Sequence, residues 1–328
     1  MVAAPLQPMQ DNSVMNKAIF LDAATLPNTD WSPLGSNCQL VSYANTSPQE
    51  VVSRCQDADI VITNKVVLCA EVLAQLPKLK LICVAATGTN NVDLEAAKAR
   101  NIAVCNVRNY ATAAVSQHAF ALLLALTNQI NTNARAIAQG EWSRSPTFCL
   151  LTNPIQQLSG LTITIVGYGD LGQATARLAQ AFGMKLCIAE RPGARVIRPG
   201  RTEFITALRQ ADVVSLHCPA QHSDFLIGSA ELAEMKPSAL LINTARGALV
   251  DPLALIAALK QGKLAGAALD VLITEPPPID DPLLTCQLSN LILSPHVAWA
   301  SAHAMQELTN QVIENILSFY QGRPSRLC

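Results

Sequence analysis

The sequence predicts an α/β protein made of two doubly wound parallel-sheet domains, and three observations support this prediction. Half of the 328 residues are hydrophobic but only 4% are aromatic, as expected where aliphatic helices pack over a parallel sheet. Strand-like segments alternate with helix-like segments along most of the chain. The length exceeds what one hydrophobic core usually serves and suits two domains.

Composition and charge exclude several classes of protein. A net charge of −1 and a pI near 6.5 do not indicate nucleic acid or an anionic membrane as a partner. The ten cysteines are scattered without ligand spacing, which predicts reduced thiols and no metal site. The N-terminus has neither a basic nor an apolar region, and the longest apolar run, AFALLLAL at 119–126, is far short of a bilayer span. We therefore expect a cytoplasmic protein.

The first α/β unit follows a tail at residues 1 to about 15 that we expect to be disordered. A helix is predicted from Ser47, with Glu50 three residues later as the second member of a capping box. Further helices are predicted at 68–77 and 91–101. Strand patterns alternate with these helices at 17–23, 38–44, 59–64, 79–87 and 102–107.

The second unit begins with about thirty residues, 112–142, that lack proline and contain glycine only at Gly140. They predict one long helix, followed by an extended arm at 144–160. Helices are predicted at 172–183, 202–210, 229–236 and 252–262, and a final amphipathic helix at 301–322 is expected to pack back on the first domain. Strands are predicted at 161–167, 185–190, 211–219, 239–245, 265–272 and 290–296.

A glycine-rich turn follows the strand at 161–167 and opens the next helix. Its pattern, G-x-G-x-x-G, consists of Gly167, Gly169 and Gly172, the spacing that lets a dinucleotide pyrophosphate approach a helix N-terminus. Glu190 ends the following strand, where a carboxylate can accept both ribose hydroxyls and repel a 2′-phosphate. This favours NAD as the cofactor.

A group of arginines next to Glu190 leaves NADP as the alternative. These side chains could bind a 2′-phosphate, or they could form a solvated basic loop. The group consists of Arg191, Arg195, Arg198 and Arg201.

Three charged residues follow the last three predicted strands: Arg246, Glu275 and His296. Each has a plainer explanation, as a loop arginine, a solvated turn and a core histidine respectively. The carboxyl ends of strands in a doubly wound sheet share one edge, where ligands bind. A histidine there can exchange a proton with a substrate oxygen, and a carboxylate can orient its ring. An arginine can bind the carboxylate of a 2-oxo acid and polarise its carbonyl group.

Motifs spread over nearly the whole chain resemble the D-2-hydroxyacid dehydrogenase family, in particular its glycerate dehydrogenase or hydroxypyruvate reductase branch. They are ATGTNNVD (86–93), VGYGDLG (166–172), HCP (217–219), NTARG (243–247), ALDVLITEPPP (268–278) and SPHVAWAS (294–301). The resemblance implies a flavodoxin-like substrate domain (1–110, completed by 300–328) with a Rossmann-type NAD domain (111–299) inserted into it. It implies NAD(H)-dependent, reversible reduction of hydroxypyruvate or glyoxylate to the D-2-hydroxy acid.

The resemblance also implies roles for individual residues. Arg246, Glu275 and His296 form the catalytic set, and Ala86, Thr87 and Gly88 join Arg246 and His296 in binding the substrate. The residues implied to contact the cofactor, besides His296, are Gly167, Gly169, Asp170, Leu171, Gly172, Glu190, Arg191, His217, Cys218, Pro219, Thr244, Ala245, Asp270 and Ala298.

The segment from 112 to 160 resembles the family's dimerisation element, so a homodimer is expected, with Trp142 or its neighbours approaching the other subunit's site. One departure from the pattern is Arg108-Asn109, where relatives of this branch have Pro-Gly. Asn109 still tolerates a left-handed backbone, and Arg108 would favour an extra negative charge on the substrate. Two alternative functions remain: a phosphoglycerate-type dehydrogenase, and an NADH-sensing binding protein without turnover.

Overall fold

A computed structural model describes residues 16–151, 153–220 and 225–328 of the chain. The N-terminal tail predicted to be disordered lies outside the described residues. The chain divides into two compact units: one contains residues up to Ala111 together with Ala300–Cys328, and the other is Thr112–Trp299.

The first unit contains five strands and four helices. The strands are β1 (Asn16–Phe20), β2 (Cys38–Ser42), β3 (Ile60–Thr63), β4 (Leu81–Val84) and β5 (Ala103–Cys105), and the helices are α1 (Val51–Cys55), α2 (Ala70–Ala74), α3 (Leu94–Ala99) and α11 (Ala302–Tyr320). The strands form a parallel sheet in the order β2-β1-β3-β4-β5, and the final helix α11 packs against β4. Ser47 and Glu50 form the predicted capping box, although its first turn is a short 3-10 helix.

The second unit is built on a six-stranded parallel sheet. Its strands are β6 (Thr162–Val166), β7 (Lys185–Ala189), β8 (Val213–Leu216), β9 (Leu240–Asn243), β10 (Gly266–Leu269) and β11 (Leu291–Leu293). Its helices are α4 (Thr112–Thr127), α5 (Ile130–Ala138), α6 (Asp170–Ala181), α7 (Phe204–Gln210), α8 (Ser229–Glu234), α9 (Pro252–Lys260) and α10 (Pro282–Thr285). The strand order is β11-β10-β9-β8-β6-β7. Helices α4 and α6 pack together over one face, and α7, α8 and α9 belong to the core on the other.

The two all-parallel sheets confirm the predicted fold class. All eleven strands lie within the predicted strand segments, except that β1 begins one residue earlier, at Asn16. In the six-stranded sheet, β7 lies next to β6 on one side, and the chain then crosses over so that β8 lies next to β6 on the other side. The carboxyl ends of β6 and β8 therefore flank a topological switch point, the usual ligand position in such sheets.

The prediction of one long helix over 112–142 is wrong. The helix breaks between α4 and α5, where Gln129 adopts a left-handed backbone with φ of 55°. The side chains of Asn128 and Gln129 donate hydrogen bonds to the carbonyls of Leu124 and Leu126. The Leu124 carbonyl still accepts its helical hydrogen bond from Asn128 N. The Leu126 carbonyl, which a continued helix would pair with residue 130, accepts instead from the side chain and the backbone of Gln129, so α4 ends there without glycine or proline.

Candidate active site

The glycine-rich turn between β6 and α6 is crowded at two of its glycines and open at the third. A Cβ on Gly167, whose φ is +92°, would lie 2.6 Å from the carbonyl of His217, and one on Gly172 would lie 2.1 Å from the carbonyl oxygen of Gly167. A Cβ on Gly169 would have no neighbour within 4 Å. Two glycines are thus required by the protein's own packing, while the space beside Gly169 suits a pyrophosphate at the N-terminus of α6.

His217 and Thr244, at the ends of β8 and β9, carry buried polar atoms without partners. Among the described residues, the buried side-chain atoms that lack a hydrogen bond include His217 Nδ1 and Thr244 Oγ1. The other ring nitrogen of His217, Nε2, lies 2.9 Å from Ser215 Oγ. Burial lowers the pKa of His217 to about 4, so the ring is neutral at neutral pH. Because buried polar groups are normally paired, these atoms fit a polar ligand at the switch point.

Glu190, just after β7, is buried and already paired. Its carboxylate accepts a hydrogen bond from the backbone of Arg191 at 2.9 Å, and it binds the guanidinium of Arg198, whose Nε is 2.6 Å from Oε2. These contacts, led by the Arg198 side chain, hold the pKa of Glu190 down at about 2. From the sequence, Glu190 is expected to be a free acceptor for the ribose hydroxyls. In the structure, the guanidinium of Arg198 neutralises its charge. The Arg198 side chain is half exposed, at 49%.

The last three strands end side by side. In register, Asn243 of β9 and Leu293 of β11 both pair with Leu269 of β10. Arg246, Glu275 and His296 follow these ends by a few residues each. The sheet therefore brings the three predicted catalytic residues to one edge.

Glu275 and His296 are in direct contact. The Glu275 Oε2 atom lies 2.5 Å from Nδ1 of His296, and Glu275 Oε1 accepts a hydrogen bond from the backbone of Leu272 at 2.9 Å. Both side chains are about 30% exposed, at 32% and 29%. With Nδ1 facing the carboxylate, Nε2 is the nitrogen left to exchange a proton with a ligand.

Arg246 is exposed at the end of a turn that the buried Asn243 shapes. The Asn243 side chain accepts from Ala245 N at 3.0 Å and donates to the carbonyl of Arg246 at 2.9 Å. The Arg246 guanidinium donates to the Ala245 carbonyl at 2.6 Å. Within the described ranges, no carboxylate forms an ion pair with it. Its remaining donors suit an anionic ligand.

Gly247 connects this turn to the one that carries Glu275. A Cβ on Gly247 would lie 2.0 Å from the carbonyl carbon of Leu272, the residue whose amide binds Glu275. Only glycine permits this approach. The sequence placed Gly247 in a motif but did not indicate this function, because the contact joins the segments that follow two different strands, β9 and β10.

Asp270 is buried directly after β10 and binds the loop that contains His296. Its carboxylate accepts hydrogen bonds from Val297 N at 3.1 Å, from Ala298 N at 2.9 Å and from Ser294 Oγ at 2.6 Å. His118 of α4 approaches the same group, with Nε2 at 3.0 Å from Ser294 Oγ. The sequence did not single out Ser294 or His118, since a lone serine and a helical histidine carry no signal by themselves.

The predicted substrate residues of the first unit lie in the loop after β4. Thr87 is exposed, and its carbonyl accepts a hydrogen bond from the Asn106 side chain at 2.8 Å. Ala86 accepts one from Val107 N at 3.3 Å. At the unusual Arg108-Asn109 pair, Asn109 is left-handed with φ of 57°, as glycine would be. The Arg108 guanidinium donates to Asn106 Oδ1 and to the carbonyl of Leu327.

The remaining cofactor-contact predictions fall on the same carboxyl edge of the second sheet. Asp170 and Leu171 begin α6, Ala245 precedes Arg246, and Cys218 and Pro219 follow His217. A parallel sheet with a dinucleotide turn at its switch point, and with an acid–base pair and a guanidinium on the same edge, defines a nicotinamide-dependent dehydrogenase.

The chain belongs to the D-isomer specific 2-hydroxyacid dehydrogenases, whose NAD binding domain matches residues 120–298. It is therefore an NAD(P)-dependent oxidoreductase acting on 2-oxo and 2-hydroxy acids. No helix in the described part of the chain is long and apolar enough to cross a membrane.

Named relatives agree with this assignment. The glycerate dehydrogenase of Methylorubrum extorquens is 43% identical over 95% of this chain and 98% of its own length. The hydroxypyruvate reductase of Blautia hydrogenotrophica is 36% identical over 94% and 98%. Among solved structures, a glyoxylate reductase from Paecilomyes thermophila superimposes with a TM-score of 0.81 at 27% identity, covering 95% of this chain and 98% of that one.

Proposed function

We propose that this protein reduces hydroxypyruvate or glyoxylate with NADH, giving D-glycerate or glycolate, and catalyses the reverse reaction. The observation that carries the proposal is the 2.5 Å contact between Glu275 and His296, on the sheet edge that also presents the Arg246 guanidinium, which has no carboxylate partner among the described residues. The names of the first two relatives support hydroxypyruvate, and the solved glyoxylate reductase supports glyoxylate. The same names do not favour a phosphoglycerate-type dehydrogenase or an NADH-sensing protein without turnover.

Three side chains would carry out the reaction. Arg246 binds the substrate carboxylate with its planar fork and polarises the neighbouring carbonyl group. A reduced nicotinamide bound at the sheet edge would supply the hydride to the carbonyl carbon. His296 donates a proton from Nε2 to the oxygen that becomes the hydroxyl group, and Glu275 orients the ring and stabilises its positive charge.

The cofactor would lie along the carboxyl edge between β6 and β8. The amides at the start of α6 and the space beside Gly169 suit the pyrophosphate, and the partnerless polar atoms of His217 and Thr244 suit other polar groups of the dinucleotide. The predicted contacts of Arg191, Asp270 and Ala298 with the cofactor, and of Ala86, Thr87 and Gly88 with the substrate carboxylate, belong to the same proposal. The proposal also includes a substrate-binding role for the first unit and a cytoplasmic location.

A homodimer formed through residues 112–160 is the second part of the proposal. Six large apolar side chains in this segment are exposed, which is unfavourable for an uncovered surface. Phe148 is 92% exposed and Leu151 is 82% exposed, and the others are Ile130, Ile137, Trp142 and Ile155. A second copy of the chain would cover them in a symmetric interface.

A panel of 2-oxo acids assayed with NADH and with NADPH tests the proposal. We expect the highest kcat/KM for hydroxypyruvate or glyoxylate with NADH, and loss of turnover in His296→Ala with NADH affinity retained. Turnover of a bulky 2-oxo acid in preference to both small ones would contradict the substrate assignment. Unchanged turnover in His296→Ala would contradict the assigned mechanism.

A further inference from the structure

His296 occupies a backbone conformation that its neighbours must maintain. Its φ is 54°, in the left-handed region that non-glycine residues rarely adopt and that costs on the order of 1 kcal/mol or more. The His296 amide donates to the carbonyl of Asp270 at 2.8 Å, and the next two amides bind the Asp270 carboxylate. Asp270 therefore holds the loop on both sides of the proposed acid–base residue.

The Asp270 carboxylate is in turn held by side chains from two other elements. It is 1% exposed, so it needs partners for its charge. Ser294 donates its hydroxyl proton to Oδ1 at 2.6 Å, and His118 Nε2 lies 3.0 Å from the Ser294 oxygen and 3.4 Å from Oδ1.

The direction of the hydrogen bonds that join His118, Ser294 and Asp270 follows from the single proton of the Ser294 hydroxyl. A serine hydroxyl has one proton, and Ser294 gives it to Asp270. Its oxygen can therefore only accept from His118, so Nε2 of His118 carries a proton. Donation runs from His118 through Ser294 to Asp270, and Asp270 in turn receives the amides of the His296 loop.

We propose that His118 and Ser294 are positioning residues for His296, acting through the carboxylate of Asp270. This proposal rests on the function proposed for His296. His118 lies on α4, about 180 residues away in sequence from the loop that it helps to hold, and neither it nor Ser294 belongs to the catalytic set. A misplacement of about 1 Å at a reacting group can lower a rate by roughly 100-fold, so this support matters for turnover.

Four variants test the proposal: His118→Ala, His118→Gln, Ser294→Ala and the double variant with alanine at both positions. We expect each alanine variant to lower kcat/KM about tenfold or more. NADH affinity should fall less than kcat/KM does, because these side chains act on the proposed cofactor contacts only through Asp270 and do not reach the dinucleotide turn. The double variant should be no worse than the single ones, since both remove one chain of donors.

His118→Gln provides the decisive comparison. The amide of glutamine can replace the N–H of Nε2, so this variant should recover most of the activity that alanine loses. Gln117→Ala, an exposed neighbour on the same helix, is the control for a change in α4 itself. Equal losses in His118→Gln and His118→Ala, or additive losses in the double variant, would overturn the proposal.

Nuclear magnetic resonance of the His296 ring nitrogens separates this proposal from the proposed function. The Nδ1 signal should shift in His118→Ala and Ser294→Ala and match wild type in His118→Gln, whether or not a 2-oxo acid is turned over. Unshifted ring signals in both alanine variants would refute the positioning role. A wild-type protein that reduces no 2-oxo acid would refute only the proposed function.

Discussion

Replacing Gly169 with alanine should weaken NADH binding and leave the fold intact. Gly169 has φ of −84° and ψ of −162° and precedes the first residue of α6, a conformation that alanine adopts without strain. The added Cβ would meet no protein atom within 4 Å. Alanine at this N-terminal cap position costs about 1 kcal/mol relative to glycine, and the reduced freedom of the unfolded chain offsets about 0.4–1 kcal/mol of that.

Gly172→Ala is the matched comparison, because alanine at this position should destabilise the fold, whereas Gly169→Ala should not. Helix propensity alone would favour alanine within α6 by about 1 kcal/mol. Its Cβ, however, would lie 2.1 Å from the carbonyl oxygen of Gly167, a backbone atom that cannot rotate away. Overpacking of this kind costs about 1–3 kcal/mol or more, so the net change should be destabilising.

Thermal unfolding and NADH titration of both variants separate an effect on folding from an effect on cofactor binding. Thermal unfolding should show a Tm within about 4 °C of wild type for Gly169→Ala, and a fall of roughly 4 °C or more for Gly172→Ala, at about 2–4 °C per kcal/mol for a unit of this size. NADH titration should show Kd rising about tenfold for Gly169→Ala, which corresponds to about 1.4 kcal/mol. Unchanged NADH affinity in Gly169→Ala would refute the placement of the pyrophosphate beside this residue.

Four further outcomes are expected. Arg246→Lys keeps the charge but loses the planar fork, so kcat/KM should fall about 100-fold, or about 2.7 kcal/mol, while NADH titration stays unchanged; a collapse of NADH affinity would instead make Arg246 a cofactor or folding residue. Because Arg198 neutralises Glu190, Arg198→Met should weaken NADPH binding and spare NADH, whereas Glu190→Gln should strengthen NADPH binding; equal effects on both cofactors in titrations would show that this pair does not discriminate the 2′-phosphate. Glu275→Gln removes the charge beside His296 and should lower kcat/KM at least about tenfold, and an unaltered rate would exclude the acid–base pair. Phe148→Glu should convert a dimer to a monomer in sedimentation at micromolar concentration, and a wild-type monomer would contradict the proposed interface.

The sequence by itself determined the strands, their parallel direction within an α/β class and the types of residue at the sheet edge. These depend on local signals: continuous β-branched runs mark buried strands, and the spacing of Gly167, Gly169 and Gly172 marks a dinucleotide turn. The capping box of Ser47 and Glu50 is local in the same sense. Such features were predictable because each is complete within a few consecutive residues.

Contacts between distant residues were decided only by the tertiary structure. Arg198 pairs with Glu190 because the loop between them folds back over eight residues. This pairing neutralises the carboxylate that the sequence indicated as a free acceptor for the ribose. The break at Gln129 appears where side-chain amides satisfy the carbonyls of α4, which a count of helix-forming residues does not detect. His118 reaches Ser294 and Asp270 only because α4 packs against β9 and β10. Sequence patterns specify helices and strands, whereas tertiary packing decides which groups pair with a buried charge. The residues proposed to position His296 could therefore be identified only from the tertiary structure.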